Sequence, residues 1–136
     1  MEKLKTAFKL VTPTSSTLLS LALTTLPSFA GGHLLIFGGP NHQVFLGCIT
    51  CNQSIPEAID NEYGKYGSPY ATTSIFNKYG TFGSPYSQLS VCNPQASHPP
   101  VVVDEEGNFY GHLNVNTNRY QISIPQLQGL VVGICR

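Results

Sequence analysis

Short apolar runs separated by turn-forming residues recur along much of the chain, and this pattern predicts β-strands. "HLLIFGG" at 33–39 and "QVFLGC" at 43–48 are joined through a Gly-Gly-Pro-Asn cluster that is typical of a turn. A second pair of β-rich runs lies in "PPVVVDEEGNFYGHLNVN", where Gly107 is free to adopt a positive φ in the turn. The final stretch, "QISIPQLQGLVVGICR", adds two strand-like runs that Pro125 interrupts, because proline cannot donate to a β-ladder. The pattern therefore predicts a mainly β fold.

Between the two strand pairs, the chain repeats itself. "NEYGKYGSPY" at 61–70 returns sixteen positions later as "NKYGTFGSPY" at 77–86, and a third, decaying copy begins at Ser90. Residues 58–100 are thus a Tyr/Gly repeat region. Its glycines and prolines disfavour a helix interior by about 1 and about 3 kcal/mol each, so only short helical turns are predicted there.

The repeated tyrosines divide into two pairs by position. We interpret each copy as a packing unit in which a capped turn precedes a Gly-Ser-Pro-Tyr loop. Tyr63 and Tyr79 are then predicted to point inward as equivalent anchors. Tyr70 and Tyr86 follow the prolines and are the predicted exposed pair, and they are the candidate binding residues because exposed tyrosine is favoured at contact surfaces.

Residues 44–111 resemble a group of small secreted bacterial proteins. The likeness rests on "SIFNKYGTFGSPYS", on "GCITC" before it and on "PPVVVDEEGNFYG" after it. Proteins of that group carry a Ser-Ile-aromatic-Asn-x-aromatic-Gly-x-aromatic-Gly-Ser-x-Tyr-Ser repeat and then a Val-Asp-x-x-Gly-Asn-Phe-Tyr-Gly segment. This chain departs from the pattern at Asp60 and Cys92, where an aromatic residue is usual. The resemblance implies secretion and carries no activity with it.

The first thirty residues have the layout of a secretory signal peptide. Three lysines precede the apolar run "STLLSLALTTL", and small residues at Ser28 and Ala30 mark a cleavage site. The run is shorter than the roughly 20 residues of a membrane helix. We therefore expect a signal peptide at 1–30, a single small β-rich domain at 31–136, a secreted or periplasmic location, and no membrane span after cleavage.

Charge argues against nucleic-acid binding. From Gly31 onward the chain holds four basic and six acidic side chains, a net charge of −2. Binding to a phosphate backbone requires clustered lysine or arginine, which this segment lacks. No phosphate-binding loop is present either, and no cofactor is predicted.

The four cysteines, Cys48, Cys51, Cys92 and Cys135, all follow the proposed cleavage site. In an oxidising compartment they are expected to form disulfides. Three pairings are possible. Cys48–Cys51 with Cys92–Cys135 is favoured: the first bridge closes a tight ring, and the second closes a large loop and so removes more entropy from the unfolded chain than the tight ring does.

Other chemistries fit the sequence less well. The C-x-x-C motif at 48–51 is found in thiol–disulfide oxidoreductases, but the βαβ framework of those enzymes is missing. A zinc site could combine Cys48 and Cys51 with Cys92 or Cys135 and with His98 or His112, although a single C-x-x-C is weak support, and no metal site is predicted. "DEEGN" fits a solvated hairpin turn better than a calcium loop or a glycosidase pair. No serine lies in a nucleophile elbow.

Together these features predict a secreted, non-enzymatic structural or binding module whose tyrosine-rich loops meet an unknown protein or surface partner. The alternative is an envelope thiol–disulfide redox factor that uses Cys48 and Cys51.

Overall fold

The computed structural model describes residues 32–136, and the proposed signal peptide at 1–30 lies outside this range. The described residues form one four-stranded antiparallel sheet and a C-terminal helix. The order across the sheet is β2-β1-β3-β4. In chain order the elements are β1 (Leu34–Gly38), β2 (Val44–Cys48), β3 (Val101–Asp104), β4 (Phe109–His112) and α1 (Gln126–Ile134). The prediction of a mainly β, disulfide-stabilised fold is confirmed.

Both predicted hairpins are present, as β1–β2 and β3–β4. The first one turns through Gly39 and His42, which have φ values of 93° and 55°. A positive φ is uncommon for histidine. A hydrogen bond from His42 Nε2 to the carbonyl oxygen of Pro99, 3.0 Å long, fixes this side chain against the start of β3.

The sheet is completed by pairing β1 with β3, which lie on opposite sides of the repeat region in sequence. Leu34 and Ile36 of β1 and Val102 of β3 are buried in the core, and they pack with side chains from the repeat region and from α1. Alternation along β1 leaves Phe37 half-buried, where its ring makes an edge contact with Phe45 at 5.5 Å between centroids. The core therefore lies mainly on one face of the sheet.

Asp104 organises the turn between β3 and β4. Its Oδ1 accepts the N–H groups of Glu106 and Asn108 at 2.9 and 3.0 Å, and its Oδ2 accepts from Asn108 Nδ2 and the Tyr110 hydroxyl at 2.9 and 2.8 Å. Burial raises the pKa of Asp104, but these hydrogen bonds outweigh burial and lower that pKa from 3.8 to about 2. The turn was predicted to be solvated, and this is wrong for Asp104, which is 2 % exposed.

This pKa shift predicts a loss of stability in acid. Because the folded-state pKa of Asp104 lies below its ordinary value, its contribution is complete above about pH 4 and is lost as the pH falls towards about 2. Thermal melting of the wild-type protein and Asp104→Asn should therefore show a difference in melting temperature that narrows over this range. Glu105→Gln, on the same turn but exposed, is the control. A difference for Asp104→Asn that is independent of pH would contradict the assignment.

Neither of the two strands predicted for residues 121–136 is formed. Residues 126–134, predicted as a strand, form α1, while Ile122 makes only an isolated bridge to Gly111. Pro125 precedes the helix with φ −58° and ψ −30°, a conformation suited to a first turn in which its missing N–H costs nothing. Leu127 and Val131, four residues apart, are buried on one face of the helix. A four-residue spacing favours a helix, whereas apolar character alone does not distinguish helix from strand.

Candidate binding surface

Three asparagines sixteen residues apart, Asn61, Asn77 and Asn93, make equivalent hydrogen bonds. Each side-chain amide donates to the carbonyl six residues earlier, at 3.4, 3.1 and 3.0 Å. Each Oδ1 accepts the N–H two residues later, at 3.1, 3.0 and 2.9 Å. These side chains hold residues 58–100 in successive hydrogen-bonded turns, and no helix is assigned there. The short helical turns predicted for this region are therefore corrected to turns.

The inward side of these turns is apolar. Ile59, Ile75 and Val91, which occupy equivalent positions, are 2, 0 and 0 % exposed. The residue before each of them is also buried, and it is small: Ala58, Ser74 and Ser90. Small residues let the backbone of the turns lie close to the core, and the β-branched residues fill it.

The turns pack directly on the sheet at two of its glycines. A Cβ at Gly47 of β2 would lie 2.6 Å from Ile59 and 2.9 Å from Tyr66, and one at Gly38 of β1 would lie 3.1 Å from the ring of Phe82. A parallel bridge from Cys48 to Ala58 joins the first turn to the end of β2. The outward side of the turns is thereby held on a rigid support.

The four repeat tyrosines that lie two residues after an asparagine or directly after a proline are all exposed. Tyr70 and Tyr86 are each 88 % exposed, as predicted. Tyr63 and Tyr79 are 92 and 97 % exposed, so the prediction that they point inward is wrong. In each copy the N–H of this tyrosine bonds back to the asparagine Oδ1, which places the residue on the outer corner of the turn. The inward ring is the second aromatic of each copy, Tyr66 or Phe82.

The exposed rings stand on an ordered backbone. The N–H of Tyr70 bonds to Ser68 Oγ and that of Tyr86 to Ser84 Oγ, both at 3.1 Å. The serine before each proline therefore closes a local turn. At all four exposed tyrosines, the backbone N–H is thus hydrogen-bonded to a nearby asparagine or serine side chain.

Three neighbouring depressions open on this side of the turns, and we call them together the tyrosine groove. The first, of about 150 Å³, is lined by Tyr70 and Tyr79, and it shares the walls Pro69 and Phe76 with the second, of about 410 Å³. The second shares Asp60 and Glu62 with the third, of about 290 Å³. The remaining lining side chains include Lys78 at the first depression and Gln53, Ser54, Asn61 and Tyr63 at the third.

Of the two candidate binding residues predicted from sequence, Tyr70 lines this groove, and Tyr86 lines none of the three depressions described. The other walls of the groove were not predicted. One sequence signal was available. Asp60, Phe76 and Cys92 occupy the same position in successive copies. Asp60 and Phe76 line the groove, and Cys92 forms a disulfide. This chain therefore departs from the resembled repeat at two positions. Asp60 supplies a carboxylate to the groove, and Cys92 supplies one half of a disulfide.

The disulfides are Cys48–Cys51 and Cys92–Cys135, which is the pairing that the sequence favoured. Cys48–Cys51 closes the chain at the end of β2. Cys92–Cys135 joins the third copy to the residue after α1. The zinc arrangement considered from sequence would need thiolates from both bridges, and all four sulfurs are bonded in pairs.

His33 lies beside the first disulfide. One of its ring nitrogens and the two sulfurs of Cys48 and Cys51 lie within 4.8 Å of one another, and His33 Nδ1 is 3.2 Å from Thr50 Oγ1. Cys48 is 1 % exposed, and turns, not a helix, follow Cys51 in the described chain. The surroundings are those of a bridge that closes a strand end, and the redox role stays a prediction.

A second cluster of rings lies along β4. His112 faces His42, Phe109 and Tyr120, with ring centroids 6.1, 5.6 and 5.1 Å away. Burial, and secondarily the nearby His42, lowers the pKa of His112. His42 and His112 therefore belong to a packed cluster of rings.

Among residues 32–136 no helix is both long and apolar enough to cross a membrane. No protein-family model matches the chain, and neither a curated protein nor a solved structure matches it.

Proposed function

We propose that this protein is a secreted or periplasmic, non-enzymatic binding module that meets its partner through the tyrosine-rich loops of residues 58–100. The observation that carries this proposal is the near-complete exposure of Tyr63, Tyr70, Tyr79 and Tyr86, at 88–97 %. Exposed tyrosine is enriched at the contact surfaces of binding proteins.

The backbone of these loops supports the same role. Since the N–H groups of the four tyrosines are held by asparagine or serine side chains, little backbone freedom is left to lose on binding. Tyrosine adds large contact area at low side-chain entropy cost, because only two torsion angles are fixed. An exported location is supported by the signal-peptide pattern of residues 1–30 and by the two disulfides.

The test is a variant with Tyr63, Tyr70, Tyr79 and Tyr86 all replaced by serine. We expect its melting temperature to stay within a few degrees of the wild type, because exposed substitutions usually change stability by less than about 0.5 kcal/mol each. Binding of the labelled protein to isolated bacterial envelope fractions should fall at least about tenfold.

Phe109→Ser is the matched control, because Phe109 is an exposed ring on β4, 60 % accessible and outside the repeat region. It should leave envelope binding unchanged. Equal binding by the four-tyrosine variant, or a large fall in its melting temperature, would contradict the proposal.

A further inference from the structure

We propose that the tyrosine groove is a binding site for a neutral oligosaccharide. This inference rests on the proposed binding function and adds the chemical class of the ligand. It follows from the kinds of side chain that line the three depressions and from their order along the groove.

The first depression offers flat aromatic walls. Tyr70 and Tyr79 are 88 and 97 % exposed, and they line this depression together with Phe76 and Pro69. A pyranose ring presents a face of C–H groups, and such a face packs well against an aromatic ring, whose face carries the negative end of its quadrupole. A sugar ring that enters this depression is therefore covered on its apolar face.

The second and third depressions offer hydrogen-bonding groups. Asp60 and Glu62 line both of them, and the third adds amide and hydroxyl side chains at Gln53, Ser54 and Asn61. Neighbouring sugar hydroxyls donate in pairs to a carboxylate, whose two oxygens accept up to four hydrogen bonds. Each depression also has an aromatic wall, Phe76 in the second and Tyr63 in the third, so a sugar ring there can be covered on its apolar face while its hydroxyls bond to the polar side chains.

The size of the groove suits several linked rings. The middle depression, at about 410 Å³, falls within the roughly 300–1,000 Å³ of small-molecule sites, and the depressions on either side add about 150 and 290 Å³. Because adjacent depressions share walls, a ligand chain can occupy all three.

A peptide fits the groove less well. Extended peptides are usually bound through main-chain hydrogen bonds at a sheet edge. Here the N–H groups of Tyr63, Tyr70 and Tyr79 are already bonded to Asn61, Ser68 and Asn77. Lys78, whose Nζ also donates to the Arg136 carbonyl at 3.0 Å, places a positive charge in the same groove as Asp60 and Glu62. Charges of both signs favour a neutral ligand over a strongly basic segment.

The experiment is a screen of the disulfide-intact protein on an array of neutral oligosaccharides, followed by calorimetric titration of the best one. We expect Tyr70→Ser/Tyr79→Ser to weaken binding at least about tenfold. Phe109→Ser is the matched control, because Phe109 is an exposed ring on β4 that lines none of the three depressions, and it should bind within about twofold of the wild type.

Two further measurements separate the ligand classes. Affinity for a neutral sugar should change less than about twofold between about 0.05 and about 0.5 M NaCl, since no ligand charge is screened. Binding that falls steeply with salt and is abolished in Asp60→Asn/Glu62→Gln, but survives in Tyr70→Ser/Tyr79→Ser, would identify a basic ligand and overturn the inference.

The inference and the proposed function fail in different ways. If no array sugar is bound, or if tyrosine-dependent binding to envelope fractions survives periodate oxidation of their glycans, the oligosaccharide is wrong and the binding module stands. If the four-tyrosine variant binds the envelope normally and no sugar is bound, both are wrong.

Discussion

Replacing Cys92 and Cys135 together by alanine is expected to lower the free energy of unfolding by about 4 kcal/mol. The bridge spans a sequence separation of 43, and the entropy that such a loop removes from the unfolded chain has this magnitude. Since small domains have roughly 5–15 kcal/mol in total, this is a large share of the stability. The melting temperature should fall by roughly 20 °C, measured by circular dichroism without reductant.

Cys48→Ala/Cys51→Ala is the matched control for that prediction. Its bridge spans a sequence separation of only 3, so the same entropy term gives about 2 kcal/mol. The two double variants should therefore differ by roughly a factor of two in the loss of unfolding free energy. Equal losses would show that strand-end closure at Cys48 matters as much as the long-range link between the third copy and α1.

Replacing Gly83 by alanine is expected to destabilise the fold by about 3 kcal/mol. An added Cβ would lie 2.4 Å from the carbonyl oxygen of Asn77 and 2.6 Å from that of Ile75. These are backbone atoms that cannot rotate away. The side chain of Asn77 also holds this turn, through hydrogen bonds to the Ala71 carbonyl and the Tyr79 N–H. Gly67 meets equivalent contacts, at 2.1 and 2.5 Å, so Gly67→Ala should behave alike.

Gly129→Ala is the control, because it is expected to change the free energy of unfolding in the opposite direction. Gly129 lies within α1, and an added Cβ would meet nothing within 4 Å. Alanine has the higher helix propensity, by about 1 kcal/mol, so this variant should be more stable than the wild type. Urea denaturation measures the free energy of unfolding of Gly83→Ala and of Gly129→Ala. A neutral Gly83→Ala would mean that the turns separate easily and that the loops carrying the tyrosines are not a rigid support.

The hairpins, the disulfides and the exposure of Tyr70 and Tyr86 could be predicted from sequence because each depends on local or chemical rules. Short apolar runs around Gly-Pro-Asn and Asp-x-x-Gly-Asn turns specify hairpins, and four cysteines leave only three pairings. Position after proline in a polar loop also placed Tyr70 and Tyr86 outside. These properties change little with the rest of the fold.

The tertiary structure decided the pairing of β1 with β3, the helical form of residues 126–134 and the inward ring of each copy. Each depends on partners far away in the chain: β1 meets β3 across the whole repeat region, and Leu127 and Val131 are buried in a core to which the sheet and the repeat region both contribute. Tyr63 and Tyr66 have similar side chains, and only the direction of the Asn61 turn places the first outside and the second against the sheet.

The tyrosine groove likewise exists only because turns from two copies lie side by side, so that Asp60 of one copy and Phe76 of the next line the same depression. A linear sequence reports which residues repeat, but the contacts between repeats, and hence the site, are set by how the folded turns pack.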